Sequence, residues 1–133
     1  MAAVAKAKNI GPEFKNEVKL ERVVYDFAAD GGAVGALDLF TAGSDIVIKA
    51  AHAYVKTACT SGGSATVAYG ITGSTTAFVD ATAGAVANLT LNAVLGAAEP
   101  PVRLASGSKV LMTIGTAALT AGQIEFVIEY CAA

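Results

Sequence analysis

Residues 123–130, QIEFVIEY, restrict the possible folds of this chain more than any other stretch. Ile124, Phe126, Ile128 and Tyr130 alternate with Gln123, Glu125 and Glu129. Successive side chains of a strand point to opposite faces, so a period of two marks a strand with one face in a core. Residues 109–115, KVLMTIG, repeat the pattern with Val110, Met112 and Ile114 inward. The two runs are expected to share one buried face.

Further runs of this kind fill the chain from residue 18 onward. Residues 18–27 are rich in β-branched and aromatic side chains and stop at Asp30-Gly31-Gly32. Residues 33–40 stop at Thr41-Ala42-Gly43-Ser44, and residues 45–58 are long enough for one bent strand. Residues 65–72 place Val67, Tyr69 and Ile71 on one face, and residues 75–82 form a shorter run. Residues 87–95 alternate Leu89, Leu91 and Ala93 against Thr90 and Asn92, and residues 102–105 follow Pro100-Pro101. Alanine in residues 81–98 favours helix, but Thr82, Gly84, Thr90 and Gly96 interrupt it, and we read strand there. Eight or nine short strands separated by turn residues predict an all-β fold, a sandwich or barrel.

Composition then bears on what such a fold would need. At 133 residues the chain makes one domain. Its hydrophobic fraction of 54% includes 29 alanines, which leaves 41 Val, Ile, Leu, Met, Phe and Tyr and no Trp. Burial stabilises by roughly 25 cal/mol per Å² of apolar area, so an alanine-rich core is thin and association is the natural supplement. Charged residues are only 15% of the chain, which points to a surface partly covered by a partner. A formal net charge of −2 argues against a dedicated nucleic-acid binder. No apolar run is long enough for a membrane span, and Lys6 and Lys8 have no apolar run behind them to make a secretory signal. Two cysteines without an export signal suggest free thiols in a reducing compartment.

The first 17 residues differ from the rest. Lys6, Lys8 and Lys15 stand against Glu13 and Glu17, with Gly11-Pro12 between them and no sustained period. We read residues 1–17 as an extended arm and residues 18–133 as the sandwich. Ile10 and Phe14 are bulky apolar residues that a functionless tail has no reason to keep. Ile10, Phe14, Lys15 and Val18 are therefore the candidate interface residues, and the arm is expected to leave its own sandwich and bury Phe14 against another chain.

Catalytic and metal chemistry find little support. His52 is the only histidine; the period of two puts it on the side of Ile46, Ile48 and Tyr54, as a packing or interface residue. A metal site needs three or four suitable ligands, and Cys59 and Cys131 have no CxxC or CxxH neighbours. Gly62-Gly63 reads as a hairpin connection using positive φ, not as a phosphate loop, because no helix follows it. Neither GxxxxGK[ST] nor GxSxG occurs, and Asp26 and Asp30 flank a turn. The expectation is a non-enzyme with no catalytic residues, no metal and no cofactor.

Three stretches carry a resemblance: VVYDFAADGGAVGALDLF, DIVIKAAHAYVKTACTSGGSATVAYGITG and VLMTIGTAALTAGQIEFVIEY. Together they resemble the capsid cement or decoration proteins of tailed bacteriophages, many of them from phages of aquatic bacteria, including cyanobacteria. The resemblance implies a jelly-roll-like β-sandwich of about eight strands with an N-terminal arm. It implies a protein made in the host cytoplasm that binds the major capsid protein on the outside of the assembled shell. It also implies self-association, commonly as a homotrimer at three-fold or quasi-three-fold positions, with no nucleic-acid or membrane partner. A receptor- or carbohydrate-binding head-fibre or tail-associated module is the alternative; it would share the fold but call for exposed aromatics beside Asp, Asn or Arg.

Overall fold

The computed structural model describes residues 8–10, 18–97 and 102–133. Its strands are β1 (Lys8–Ile10), β2 (Lys19–Asp26), β3 (Gly35–Ala42), β4 (Ile46–Ser61), β5 (Thr66–Ile71), β6 (Ser74–Val79), β7 (Val94–Ala97), β8 (Val102–Leu104), β9 (Lys109–Gly115) and β10 (Leu119–Ala132). A four-residue helix, α1 (Phe27–Asp30), and a 3-10 turn at Val86–Asn88 complete the elements. No helix among the described residues is long and apolar enough to cross a membrane.

Two sheets form a sandwich, one in the order β1-β3-β9-β5-β6 and the other in the order β2-β10-β4-β7. Strand β8 also pairs with β4: β7 lies against Ala51–Tyr54 and β8 against Ile46–Ile48 of the same edge. They lie end to end along that edge. Counting that pair once and setting β1 aside gives eight antiparallel strands passing between the sheets in the order of a jelly roll. The expected fold class is therefore the observed one.

The core lies between the sheets. Val110, Met112 and Ile114 of β9 and Ile124, Phe126, Ile128 and Tyr130 of β10 are all buried in one cluster, as the alternation requires. The ring of Tyr69 on β5 spans the layer. It packs edge-on against Phe126 of the opposite sheet at 4.7 Å and against Phe78 at 5.1 Å. Its hydroxyl donates to the Val127 carbonyl at 3.1 Å, which satisfies a buried polar group and ties sheet to sheet. The Tyr25 hydroxyl donates to the Gly31 carbonyl at 2.5 Å and fastens the turn after α1. Asp26 caps α1 by accepting from Ala28 N, and Asp30 accepts from Asp26 N. The turn flanked by Asp26 and Asp30 is thus a capped helical turn.

Four expectations need correction. Residues 87–93 are not strand. The Leu89 side chain is fully buried, but Asn92 adopts φ 69°, and the chain turns so that Leu91 is 60% exposed. The backbone there is tied to β4 instead, through Cys59 N to Leu89 O and Asn92 N to Val55 O, both 2.9 Å. Next, Gly62-Gly63 is not a hairpin. Strands β4 and β5 lie in opposite sheets, and neither glycine has positive φ; the tight hairpin is β5–β6, where Gly73 has φ 87°. Third, His52 and Tyr54 do not share a face with Ile46 and Ile48. Glu129 pairs with Ala50 and Tyr130 with Ile48, so Lys49 is an extra residue in β4. This bulge shifts the alternation by one, and Ala51, Ala53 and Val55 take the inward positions. Last, the arm does not wholly leave its sandwich: Lys8–Ile10 form β1, parallel to Phe40–Ala42 of the same chain. Phe14 and Lys15 lie outside the described residues.

Core burial also makes stability depend on alkaline pH. Burial pushes the Cys59 thiol from its ordinary 9.0 up to about 11. Burial also raises Tyr69, and burial followed by the proximity of Cys59, Asp30 and Asp26 raises Tyr25. Between the unfolded and folded values only the unfolded chain can ionise, so the unfolded state binds fewer protons. The stability is complete below about pH 9 and falls as pH rises towards 11. Urea midpoints should therefore drop between about pH 8 and pH 10.5; an unchanged midpoint would mean these groups are not buried.

Candidate interaction surface

The outward face of the β2-β10-β4-β7 sheet concentrates what the core has no use for. Register places Val24, Glu125, Tyr54 and Val94 in one row across the four strands. The next row is Arg22, Val127, His52 and Gly96, and a third holds Leu20, Glu129 and Ala50. Leu20 is 58% exposed, Val94 58% and Tyr54 37%. Of the large hydrophobics that the described chain leaves in water, these three lie on this one face; Val18 and Leu91 lie just before β2 and β7, and Val34 precedes β3. The His52 and Tyr54 rings stack with centroids 6.3 Å apart, making a continuous aromatic strip on β4.

Charges are set into the same face. Glu125 sits between Arg22, at 3.5 Å, and Lys56, at 3.8 Å. Its side chain is only 14% exposed, whereas Arg22 and Lys56 are 68% and 50% exposed. The carboxylate is therefore recessed and the two cations project from it. Lys49, the extra residue of the bulge, is also exposed. Ion pairs with exposed cations of this kind add little to folding stability.

Two of the four candidate residues from sequence lie within the described residues. Val18 is exposed immediately before β2, Ile10 ends β1 on the edge of the other sheet, and Phe14 and Lys15 lie outside the described residues. Sequence reasoning missed Leu20, Arg22, Tyr54, Lys56 and Val94. In β2 both phases mix charged with apolar side chains, and in β4 the phase depends on a bulge; only the Arg22/Glu125 cross-strand pairing carries a sequence signal, and it needs the register.

Other places offer less. A shallow groove between α1 and the bulged ends of β4 and β10, lined in part by Asp26, Phe27, Thr57 and Gln123, has one carboxylate, already engaged in capping α1. Among the described residues, no three His, Cys, Asp or Glu side chains gather as a metal centre would require. Cys59 is buried and Cys131 half-buried, and both are free thiols.

No protein-family model and no curated protein matches the sequence. Solved structures do match. A chain in the capsid of Ralstonia phage GP4 superposes with a TM-score of 0.67 at 14% identity, covering 94% of this chain and 90% of that one. A chain in the acidic stable capsid structure of Helicobacter pylori bacteriophage KHP30 gives 0.63 at 13% identity, covering 89% and 90%. A chain in the capsid asymmetric unit of cyanophage Pam1 gives 0.62 at 17% identity, covering 99% and 94%. At these identities the likeness establishes a shared fold: the chain is a jelly-roll sandwich of the kind found as whole chains in three phage capsids.

Proposed function

We propose that this chain is a virion structural protein of a tailed bacteriophage, a cement protein that binds the outer surface of the assembled shell. In this reading its partners are the major capsid protein and further copies of itself, in a homotrimer, and it performs no catalysis. The observation that carries the proposal is the match, over about nine-tenths of both chains, to chains of three phage capsids. The matched capsid chains are therefore of similar size to this one.

The physics suits the role. A shell under internal pressure is stabilised by many modest contacts repeated around it, because each added copy multiplies the effect of its neighbours. A two-sheet sandwich held by ladder hydrogen bonds and an inter-sheet aromatic core presents a rigid face to such contacts. The rival reading as a carbohydrate-binding module finds Tyr25, Tyr69 and Tyr130 buried, leaving Tyr54 as the tyrosine available to stack on a sugar.

Residues 1–17 are proposed to contribute to the contact through Ile10, Phe14 and Lys15, with Val18 beside them. Burying one large apolar side chain is worth roughly 1.5–3 kcal/mol, which a tail gains only against a second layer. Deleting residues 1–17 should leave the far-ultraviolet circular dichroism of the sandwich intact and weaken co-sedimentation with empty shells by at least about tenfold. Phe14→Ala should reproduce part of that loss, and Lys6→Ala with Lys8→Ala less of it at physiological salt. Equal coating by the truncated and full chains would remove the arm from the interface.

A further inference from the structure

We infer that the outward face of the β2-β10-β4-β7 sheet is the docking face, and that its occupant is an apolar protein surface bearing carboxylates, on the shell rather than on a second copy of this chain. The inference rests on the reading of the chain as a shell-binding protein and adds which surface binds and what chemistry it meets.

Two independent features of the face lead there. The first is apolar: Leu20, Tyr54 and Val94 stand in water at three positions on one sheet face, with Val127 and Ala50 between them. A face with only solvent to meet gains nothing from a leucine, a tyrosine and a valine at these positions, and clustered exposed apolar groups rimmed by charge mark interaction sites. The second is electrostatic. The chain carries a formal −2, yet on this face the carboxylate of Glu125 is sunk and neutralised twice over, and what projects is Arg22, Lys56 and Lys49. Glu129, exposed beside Leu20, is the one projecting carboxylate of the central rows.

That asymmetry selects the occupant. Two copies of this face set against each other would oppose projecting cations to projecting cations over much of the contact, which costs affinity. A surface that supplies carboxylates to Arg22 and Lys56, and apolar groups to Tyr54 and Val94, has no such conflict. Glu125 has a definite part in this. Recessed between Arg22 and Lys56, its carboxylate lowers the net positive charge the partner sees.

The test measures co-sedimentation of the full chain with empty shells of its own phage prepared without it, at two salt concentrations. Each variant is first checked for an unchanged melting temperature. Arg22→Gln with Lys56→Gln should bind about tenfold or more weakly at low salt and lose much of its salt dependence. Tyr54→Ala with Val94→Ser should bind more weakly with the salt dependence retained. Glu125→Gln should bind at least as tightly as wild type at low salt, because it leaves both cations unneutralised; a purely structural role for this triad predicts weaker binding instead. Thr75→Glu with Thr76→Glu, on β6 of the other sheet, should bind as wild type does. Wild-type binding unaffected by the Arg22/Lys56 and Tyr54/Val94 changes would overturn this inference and leave the shell-binding reading standing. Failure of the wild-type chain to bind shells would overturn that reading itself. Sedimentation velocity covers the second-copy occupant: if the same variants dissociate an oligomer of the free protein, the face belongs to self-association and the inference is wrong.

Discussion

Phe126→Ala should destabilise the sandwich by about 3–5 kcal/mol and lower its melting temperature by about 10–20 °C. The ring is fully buried on β10, and it meets Tyr69 of the opposite sheet edge-on at 4.7 Å. Truncation removes the transfer energy of the ring and leaves a cavity that two hydrogen-bonded sheets cannot close. It also deprives Tyr69 of one of its two aromatic neighbours, Phe78 being the other. In a domain whose total stability is about 5–15 kcal/mol, such a loss takes a large share of the whole. Leu20→Ala is the matched control: that side chain is 58% exposed and its removal should change stability by no more than about 0.5 kcal/mol. Chemical denaturation reads both. A loss of under about 1 kcal/mol for Phe126→Ala would mean the ring does not hold the two sheets together.

Gly84→Ala should be at least as damaging, at about 4 kcal/mol or more, for a different reason. A Cβ at this position would sit 1.7 Å from the Val67 carbonyl oxygen and 2.8 Å from its carbon. The obstacle is backbone on a core strand and cannot rotate aside. Gly84 is itself pinned there, its N–H donating to Asp80 O at 2.9 Å and its carbonyl accepting from Val67 N at 2.8 Å. Two other glycines calibrate the effect. Gly73 has open space around it but φ 87°, so alanine there should cost only the left-handed penalty of about 1–2 kcal/mol. Gly62 has neither a close neighbour nor positive φ, and alanine there should be neutral within about 0.5 kcal/mol. If the three substitutions ranked otherwise in urea titrations, the close packing of the residues 80–86 segment on β5 would be wrong.

These glycines mark what the sequence could and could not convey. Where one strand face is wholly apolar, the period of two was enough: β9 runs over Lys109–Gly115, the residues anticipated, and the inward residues of β10 are the alternating ones. Alternation reports only a relative phase, and a bulge resets it. One extra residue at Lys49 carried His52 and Tyr54 from the anticipated inner side to the outer face, and with them the aromatic strip of the candidate surface. Residues 87–93 read as strand because Leu89 and Leu91 look equivalent in sequence, whereas a left-handed turn at Asn92 follows and one leucine is buried and the other exposed. Gly62-Gly63 reads as a hairpin because paired glycines between strands suit a hairpin as well as a crossing between sheets, and only the sheet order distinguishes them. The ion triad of Arg22, Glu125 and Lys56 joins three strands widely separated in sequence, so no local pattern could contain it.

The measurement that bears most directly on the account is a cryo-electron reconstruction of the virion whose genome encodes this chain, compared with particles lacking it. The account predicts density for a two-sheet jelly roll at repeated positions on the outer surface of the shell, absent from the deleted particles, with the β2-β10-β4-β7 sheet turned towards the capsid. Particles whose shells are identical with and without the chain, or density confined to the tail or head fibres, would contradict it.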